Sequence, residues 1–410
     1  MRRLKKTLWT KNFTLVTAAS ALGAVGGIAG GFALSFLVFD ETGSTLASAL
    51  ILAIQLVPFF VLPLFLAPVM DRLPRKPFLV AGDLIDGVLY ALMGLYLLKF
   101  EFSYAAYLGY SLLLACLESF DELAFQSIYP KLIPEGMEQQ GYAVSTTLYP
   151  ILRVLMLPLA GVLLDAVGAA WILIGQGGLS LLAALIESNI NITEHRREGG
   201  EKLFTLHQWR ADIKEAAEYL KNERGVTGIF SYMAVTNGVA SGYSSILVAF
   251  FRTFPGFTAA MYSLFSVFEF AGRTLGGAVQ YKLKIAKEKK FGFTFLVYQI
   301  YELMDMCLLW LPYPLMLANR ALVGFLGANS ATMRQAAMQT YIPEELRARL
   351  NAFQNMLVTA ASGLFALIIG ALGEVLDYRL CVTICGATAF IAAWLLVWRR
   401  RADVRKIFEK

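Results

Sequence analysis

The chain has 410 residues, of which 57% are apolar or aromatic and only 16% charged. Counting its 34 glycines, the apolar share reaches about 65%, against about 45 to 50% in ordinary globular domains, which excludes a soluble enzyme or binding module. The net charge of +6 would suit a nucleic-acid partner in a soluble protein, but in so apolar a chain Lys and Arg report membrane topology instead.

Twelve spans of about 20 residues would use about 240 positions, close to the number available. The basic start Met1 to Lys11 leads into an uncharged run, Asn12 to Phe39, which reads as a first span rather than a cleaved leader. Further predicted spans follow at Leu46 to Met70, Phe78 to Leu98, Tyr104 to Tyr129, Tyr142 to Leu164 and Val167 to Ile186. After one long polar connection come Val226 to Phe251, Ala259 to Gln280, Phe291 to Leu311, Pro314 to Met338, Leu350 to Gly373 and Leu380 to Trp398. An even number of spans puts both termini on one side. If that side is cytoplasmic, only Lys99, Arg252 and Arg379 fall in external turns and Arg153, Arg273, Arg320 and Arg334 within spans, every other Lys and Arg being cytoplasmic.

The connection divides the chain into an N-terminal bundle (1–189), a cytoplasmic loop (190–224) and a C-terminal bundle (225–410). Within the loop, Thr205 and Gln208 have capping-box spacing. Leu206, Trp209, Ile213, Ala217 and Leu220 fall on one helical face, with Arg210, Lys214 and Lys221 elsewhere, as in an interfacial helix on an anionic leaflet. An internal repeat relates the halves. At an offset of 209 residues, Ile133-Pro134-Glu135 matches Ile342-Pro343-Glu344, and Gln126, Ala143, Gly161 and Asp165 superpose on Gln335, Ala352, Gly370 and Glu374. Two similar six-span bundles are what alternating-access transporters use.

The second-to-third span connection reads Ala67-Pro68-Val69-Met70-Asp71-Arg72-Leu73-Pro74-Arg75-Lys76. It resembles the signature of the major facilitator superfamily, Gly-x-x-x-Asp-Arg-x-Gly-Arg-Lys, with Ala67 and Pro74 in place of the two glycines. The resemblance implies an all-α membrane protein of twelve transmembrane helices in two pseudo-symmetric six-helix bundles, the major facilitator fold. It also implies that Asp71, Arg72, Arg75 and Lys76 form a cytoplasmic gating latch. Asp212 to Leu220, with the segments around Ile133-Pro134-Glu135 and Tyr341 to Arg349, resembles the macrolide-efflux-type drug/proton antiporters.

Ionisable residues within spans are functional candidates because their insertion is costly. Glu118, Asp121 and Glu122 in the fourth span are spaced i, i+3 and i+4, so one face carries three like charges and is a candidate for taking up and releasing a proton. The resemblance implies that the first, fourth, seventh and tenth spans line a central cavity, which makes these acids the leading proton-coupling residues, with Arg153 as compensating charge. Glu269 and Arg273 read as a self-neutralising pair, while Asp83, Asp86, Glu302 and Asp305 read as interhelix packing or interfacial residues, away from the cavity wall. Tyr232, Asn237 and Tyr243, with Phe265 and Phe268, offer polar and aromatic contacts to an amphipathic substrate, and Arg320 either binds a substrate anion or pairs with an acid.

Gly23, Gly26, Gly27, Gly30 and Gly31 in the first span suit close helix packing, and no GxxxxGK[ST] phosphate loop occurs. Four cysteines, Cys116, Cys307, Cys381 and Cys385, sit in apolar stretches, and both histidines, His195 and His207, lie in the polar connection, so no metal set is expected. Together these residues predict a non-enzymatic, cofactor-free, monomeric proton-coupled exporter of hydrophobic or amphipathic small molecules in the cell membrane, both termini cytoplasmic and no nucleic acid involved. Export of an endogenous metabolite such as a siderophore or lipid-like compound, proton symport, and a non-transporting sensor are the alternatives.

Overall fold

A computed structural model describes residues 7–70, 74–192, 214–215, 217–282 and 285–409. Among them all regular structure is helical. Six long helices precede the connection: α1 (Lys11–Thr42), α2 (Thr45–Met70), α3 (Lys76–Lys99), α4 (Tyr104–Leu132), α5 (Glu138–Val167) and α6 (Ala169–Ser188). Six follow it: α7 (Arg224–Thr253), α8 (Ala259–Lys282), α9 (Lys287–Cys307), α10 (Tyr313–Tyr341), α11 (Glu344–Gly373) and α12 (Tyr378–Ala392, continued by a π turn Ala393–Trp398). A short amphipathic α13 (Arg401–Glu409) ends the described chain.

Eight of these helices are long and apolar enough to cross a membrane: α1, α3, α5, α6, α7, α9, α11 and α12. In α4, α8 and α10 the ionisable side chains lower the mean hydropathy, and α2 contributes an apolar Thr45–Phe59 segment. At 1.5 Å per residue, helices of 20 or more residues match a hydrocarbon core about 30 Å thick. Leu84, Val88, Leu92 and Leu95 form an exposed apolar stripe on α3, the face a lipid tail would cover.

The chain forms two compact units. Unit 1 comprises Met1–Thr42, Gln55–Phe204 and Thr258–Ser263, and unit 2 comprises Gly43–Ile54, Thr205–Phe257 and Leu264–Lys410, so α2 and α8 each begin in one unit and continue in the other. In unit 1, α6 packs on α1 and α3, and Phe13, Ile128, Tyr129 and Leu132 close a core at one end. In unit 2, α11 packs on α7, while Val404, Ile407 and Phe408 of α13 insert into a core with Phe230, Phe291 and Phe295.

Small residues set these approaches, as membrane helices without a hydrophobic driving force require. A methyl group on Gly177 of α6 would lie 2.6 Å from the Gly87 carbonyl oxygen of α3. One on Gly272 of α8 would lie 1.8 Å from the Ala321 oxygen of α10, and reciprocally one on Gly324 would lie 2.1 Å from the Glu269 oxygen. Of the glycine series in α1, Gly26 and Gly30 take the Gln176 side chain of α6, whereas Gly23, Gly27 and Gly31 meet nothing within 4 Å. The close packing therefore uses alternate glycines on one face, one helical turn apart.

Candidate functional site

Unit 1 gathers acids that the sequence places on three different spans. Asp121 of α4 turns toward α3, where a methyl on Gly82 would lie 2.9 Å from its Oδ1. Beside Gly82 is Asp83, and one turn further along α3 is Asp86, within charge–charge range of Glu118 and Asp121. Glu187, in the last turn of α6 and only 3% exposed, lies in range of Asp83 and Asp121. None of these five carboxylates makes a hydrogen bond or ion pair with another described residue, and Asp86 Oδ1, Asp121 Oδ1 and Glu187 Oε2 are buried without a partner.

This arrangement alters the reading of the fourth span. Consecutive residues on a helix point about 100° apart, so Glu122 diverges from its neighbour Asp121 and points toward α1 and α5. It lines a separate cavity of about 360 Å³ with Thr17 and Ser20 of α1 and Ser145 and Tyr149 of α5, and it accepts a hydrogen bond from Gln126. Glu118 is exposed. Arg153, expected to compensate the acids, is exposed on α5 and bonds none of them, because its side chain points away from the α3, α4 and α6 acids. Asp83 and Asp86, expected to stand apart, are half-buried among the α4 acids because α3 packs against both α4 and α6. Glu187 was not singled out in sequence because it lies just beyond the uncharged run Val167 to Ile186.

Unit 2 contains a cavity of about 300 Å³ bounded by α7, α8, α9, α10 and α12. Four of its six ions form two pairs, and the other two bond tyrosine hydroxyls. Arg320, 2% exposed, donates from Nη2 to Asp305 and to Asn319 Oδ1 at 2.8 Å, and from Nη1 to the Tyr243 hydroxyl at 3.1 Å. Arg273 donates from Nη2 and Nε to Glu269 Oε1 at 2.7 and 3.1 Å. Glu302 accepts from the Tyr232 hydroxyl at 3.3 Å, which also contacts Tyr301 at 3.2 Å, and Arg334 donates to Tyr298 at 3.1 Å.

Of the residues expected to contact substrate, Asn237, Tyr243 and Arg320 line this cavity together. Tyr232 lies behind it, 1% exposed and bonded to Glu302. Phe265 packs edge-on to Phe251 at 5.1 Å, and Phe268 is exposed; neither reaches the wall. Glu302 and Asp305, read in sequence as lying away from a cavity, are part of it, because the space opens inside the helical unit where α9 meets α10 and α12. No group of His, Cys, Asp and Glu among the described residues has metal-binding geometry.

Of the gating residues, Asp71 and Arg72 lie outside the described residues. Arg75 is the N-cap of α3, and Lys76 Nζ donates to the Ser188 carbonyl oxygen at 2.7 Å, tying the start of α3 to the end of α6. Leu206, Trp209 and Ile213 of the interfacial face also lie outside the described residues, whereas Ala217 and Leu220 sit on a helical segment over 217–222. Two further acids cap helices. Asp165, after the last turn of α5's apolar run, accepts from the Ala260 amide at 3.2 Å in unit 1. Glu374, at the end of α11, accepts from the Leu46 amide at 2.9 Å and from the hydroxyls of Ser44 and Thr45 at 2.7 and 3.1 Å in unit 2. Slight burial would raise the Glu374 pKa, but these donors outweigh it and hold the carboxyl below its usual range.

Solved structures similar to this chain are transporters. A bacterial homolog of the human lysosomal transporter Spinster, inward-facing and unoccupied, is 14% identical with a TM-score of 0.65 over 97% of this chain and 94% of its own. The nucleoside transporter NupG is 11% identical with a TM-score of 0.69, over 94% and 98% of the two chains. The peptide transporter POT in complex with alafosfalin is 11% identical with a TM-score of 0.70, over 99% and 98%. No curated protein matches the sequence. The family model of the Major Facilitator Superfamily matches residues 13–300 and 300–409, and the chain belongs to that superfamily, a multi-pass membrane transporter of small molecules.

Proposed function

We propose that this transporter is a proton-coupled exporter of hydrophobic or amphipathic small molecules, akin to macrolide-efflux-type antiporters, working as a monomer in the cell membrane with both termini cytoplasmic. The observation that carries this reading is the set of five carboxylates in unit 1, Asp83, Asp86, Glu118, Asp121 and Glu187, none bonded to a cation. Carboxylates held in a membrane interior without counter-charges are neutralised by protons or by a cationic substrate. Competition between those two partners is what proton antiport requires.

Unit 2 contributes the complementary half of the chemistry. Its cavity holds Glu269, Glu302 and Asp305 against Arg273, Arg320 and Arg334, so it is balanced in charge and offers polar groups without favouring an anion. The unbalanced negative charge lies in unit 1, which favours cationic or neutral substrates by complementarity. Asn237 and Tyr243, both in the cavity wall, orient a substrate's polar groups. Asp71, Arg72, Arg75 and Lys76 serve as the latch that alternating access needs, Lys76 through its hold on the end of α6.

The test is proton release from purified protein in detergent on addition of cationic, neutral and anionic amphiphiles, repeated with Glu118→Gln, Asp121→Asn and Glu187→Gln. Release on binding of a cationic or neutral amphiphile, lost in at least one of the three variants, is the expected result. Binding without release, or release that survives all three changes, would overturn proton coupling through this cluster. Everted vesicles assign direction: proton-driven accumulation of the same amphiphile supports export, and its proton-driven depletion supports uptake.

A further inference from the structure

A second cavity in unit 2, of about 680 Å³, lies where the transport reading uses no residue. It opens at the end of α12, between the 217–222 segment, the first turn of α7 and the start of α13. The sequence brings these pieces together through two glycines. A methyl on Gly228 would lie 2.5 Å from the Leu396 carbonyl oxygen, and one on Gly225 would lie 2.8 Å from the Asp403 backbone, so α7 runs backbone against backbone on α12 and α13. The π turn Ala393–Trp398, closed by the Arg399 amide donating to the Trp394 oxygen at 3.0 Å, widens the helix there, a distortion often found at functional positions.

Four cations line the cavity: Lys221, Arg224, Arg399 and Arg400. All four line the same cavity, and Arg400 Nη1 donates to the Arg224 carbonyl oxygen at 3.4 Å. None of the four makes an ion pair with a described residue. The one carboxylate in the wall, Asp403, is engaged by Lys406 at 3.0 Å, and Glu223, next to Arg224, accepts from the Tyr341 hydroxyl at 2.9 Å instead. Four cations on one wall, none of them paired with an acid, make the cavity complementary to an anion.

The rest of the wall is apolar and leads outward. Leu395 lines the cavity and is 56% exposed, and Ile391, one turn earlier, is 54% exposed, so the cavity floor continues onto the outer apolar face of α12. Trp394, next to Leu395 in the π turn, is 42% exposed, with its indole N–H donating to Gln299 Oε1 at 2.6 Å. We propose that this groove is a headgroup site for an anionic phospholipid, its phosphate on Lys221, Arg224, Arg399 and Arg400 and its acyl chains along Leu395 and Ile391. A free phosphate would satisfy the cations but has no use for the apolar floor. Basic pockets between membrane helices are the usual seat of such headgroups, and guanidinium groups match phosphate geometry.

The test is native mass spectrometry of the full chain released from detergent, titrated with phosphatidylglycerol, with phosphatidylcholine of the same chain length, and with inorganic phosphate. One phosphatidylglycerol is expected to be retained, with phosphatidylcholine at least about tenfold weaker. The double change Arg399→Gln/Arg400→Gln should weaken phosphatidylglycerol roughly thirtyfold and Lys221→Gln, on an exposed side chain, about fivefold, whereas Lys214→Gln, outside the cavity, should leave it unchanged. Equal retention of the two lipids, or wild-type retention in both Lys221→Gln and the double variant, would overturn the proposal. Displacement of phosphatidylglycerol by millimolar inorganic phosphate would also overturn it, assigning the cations to a free phosphate.

Discussion

Replacing Arg320 by Met removes the cation from the best-enclosed ion pair in unit 2 while keeping the side-chain volume. The Arg320 side chain is 3% exposed and that of Asp305 21%. The change leaves Asp305 in the bundle without its partner, and the Tyr243 hydroxyl and Asn319 Oδ1 without their donor. Breaking a buried pair from one side costs about 3 to 5 kcal/mol, and the partial exposure of Asp305 places the loss near about 3 kcal/mol. Adding Asp305→Asn removes the stranded charge, so the double variant should recover about 2 kcal/mol and retain a deficit close to that of the lost hydrogen bonds. Reversible unfolding of the four proteins in mixed detergent micelles measures the cycle. The i, i+4 pair Glu269–Arg273, exposed at 32% and 59%, is the internal control, and Arg273→Met should cost no more than about 0.5 kcal/mol. Equal losses for Arg320→Met and Arg273→Met, or a double variant as unstable as the sum of the singles, would refute the assignment of Arg320 as a buried structural cation.

Asp121→Asn and Glu187→Gln each remove a charge that no described cation opposes, so both variants should melt at or above the wild-type temperature while losing proton-driven flux; a drop in stability would show that the acids are held by partners. Gly272→Leu drives a side chain into the Ala321 carbonyl of α10 and should cost about 1 to 3 kcal/mol or more, whereas Gly23→Ala, with nothing within 4 Å, should be neutral or stabilising by up to about 1 kcal/mol, as read by melting in detergent. Glu374→Ala should speed hydrogen exchange at the Leu46 amide at neutral pH. Because the Glu374 carboxyl is held below its usual range, its contribution is present above that range and lost as the pH falls through its folded-state value, so wild-type protection should converge on that of Glu374→Ala in acid. Protection that differs equally at all pH values would remove the carboxylate from the account.

How far the sequence revealed the site depends on which physical quantity placed each residue. Span positions follow from runs of apolar residues, and α1 to α12 stand close to the predicted runs because composition alone makes water-exposed alternatives costly. Helical spacing correctly put Glu269 one turn from Arg273, since that relation is local. It could not show that Asp121 meets α3 at Gly82 while Glu122 meets α1 and α5, because the facing of a helix is set by its neighbours. The partner of Arg320 was likewise a choice between ligand and acid until α9 brought Asp305 to it. Glu187 hid at the edge of an uncharged run, where hydropathy is blind to the packing of α6 between α1 and α3.

The internal repeat is where sequence and structure inform one another most directly. Gly161 and Asp165 of α5 superpose on Gly370 and Glu374 of α11 in the repeat, and each pair performs one task. A methyl on Gly161 would lie 2.7 Å from Ala260 Cα, and one on Gly370 would lie 2.5 Å from Ala49 Cβ, so both glycines admit the first turn of another helix. One turn later, Asp165 caps the start of α8 and Glu374 caps the start of α2, where free amides and the positive end of the helix dipole favour a carboxylate. A side-chain oxygen of each helix's own sequence completes the cap: Thr258 accepts from the Met261 amide at 3.2 Å and Ser44 from the Ala47 amide at 2.9 Å. Those first turns of α8 and α2 are also the segments that belong to a different unit from the rest of their helices. A small residue followed four positions later by an acid is therefore a local code for gripping a helix start. Its recurrence at the same place in both halves explains why the repeat is legible there while the surrounding apolar positions, free to exchange among Leu, Val and Ile, have lost it.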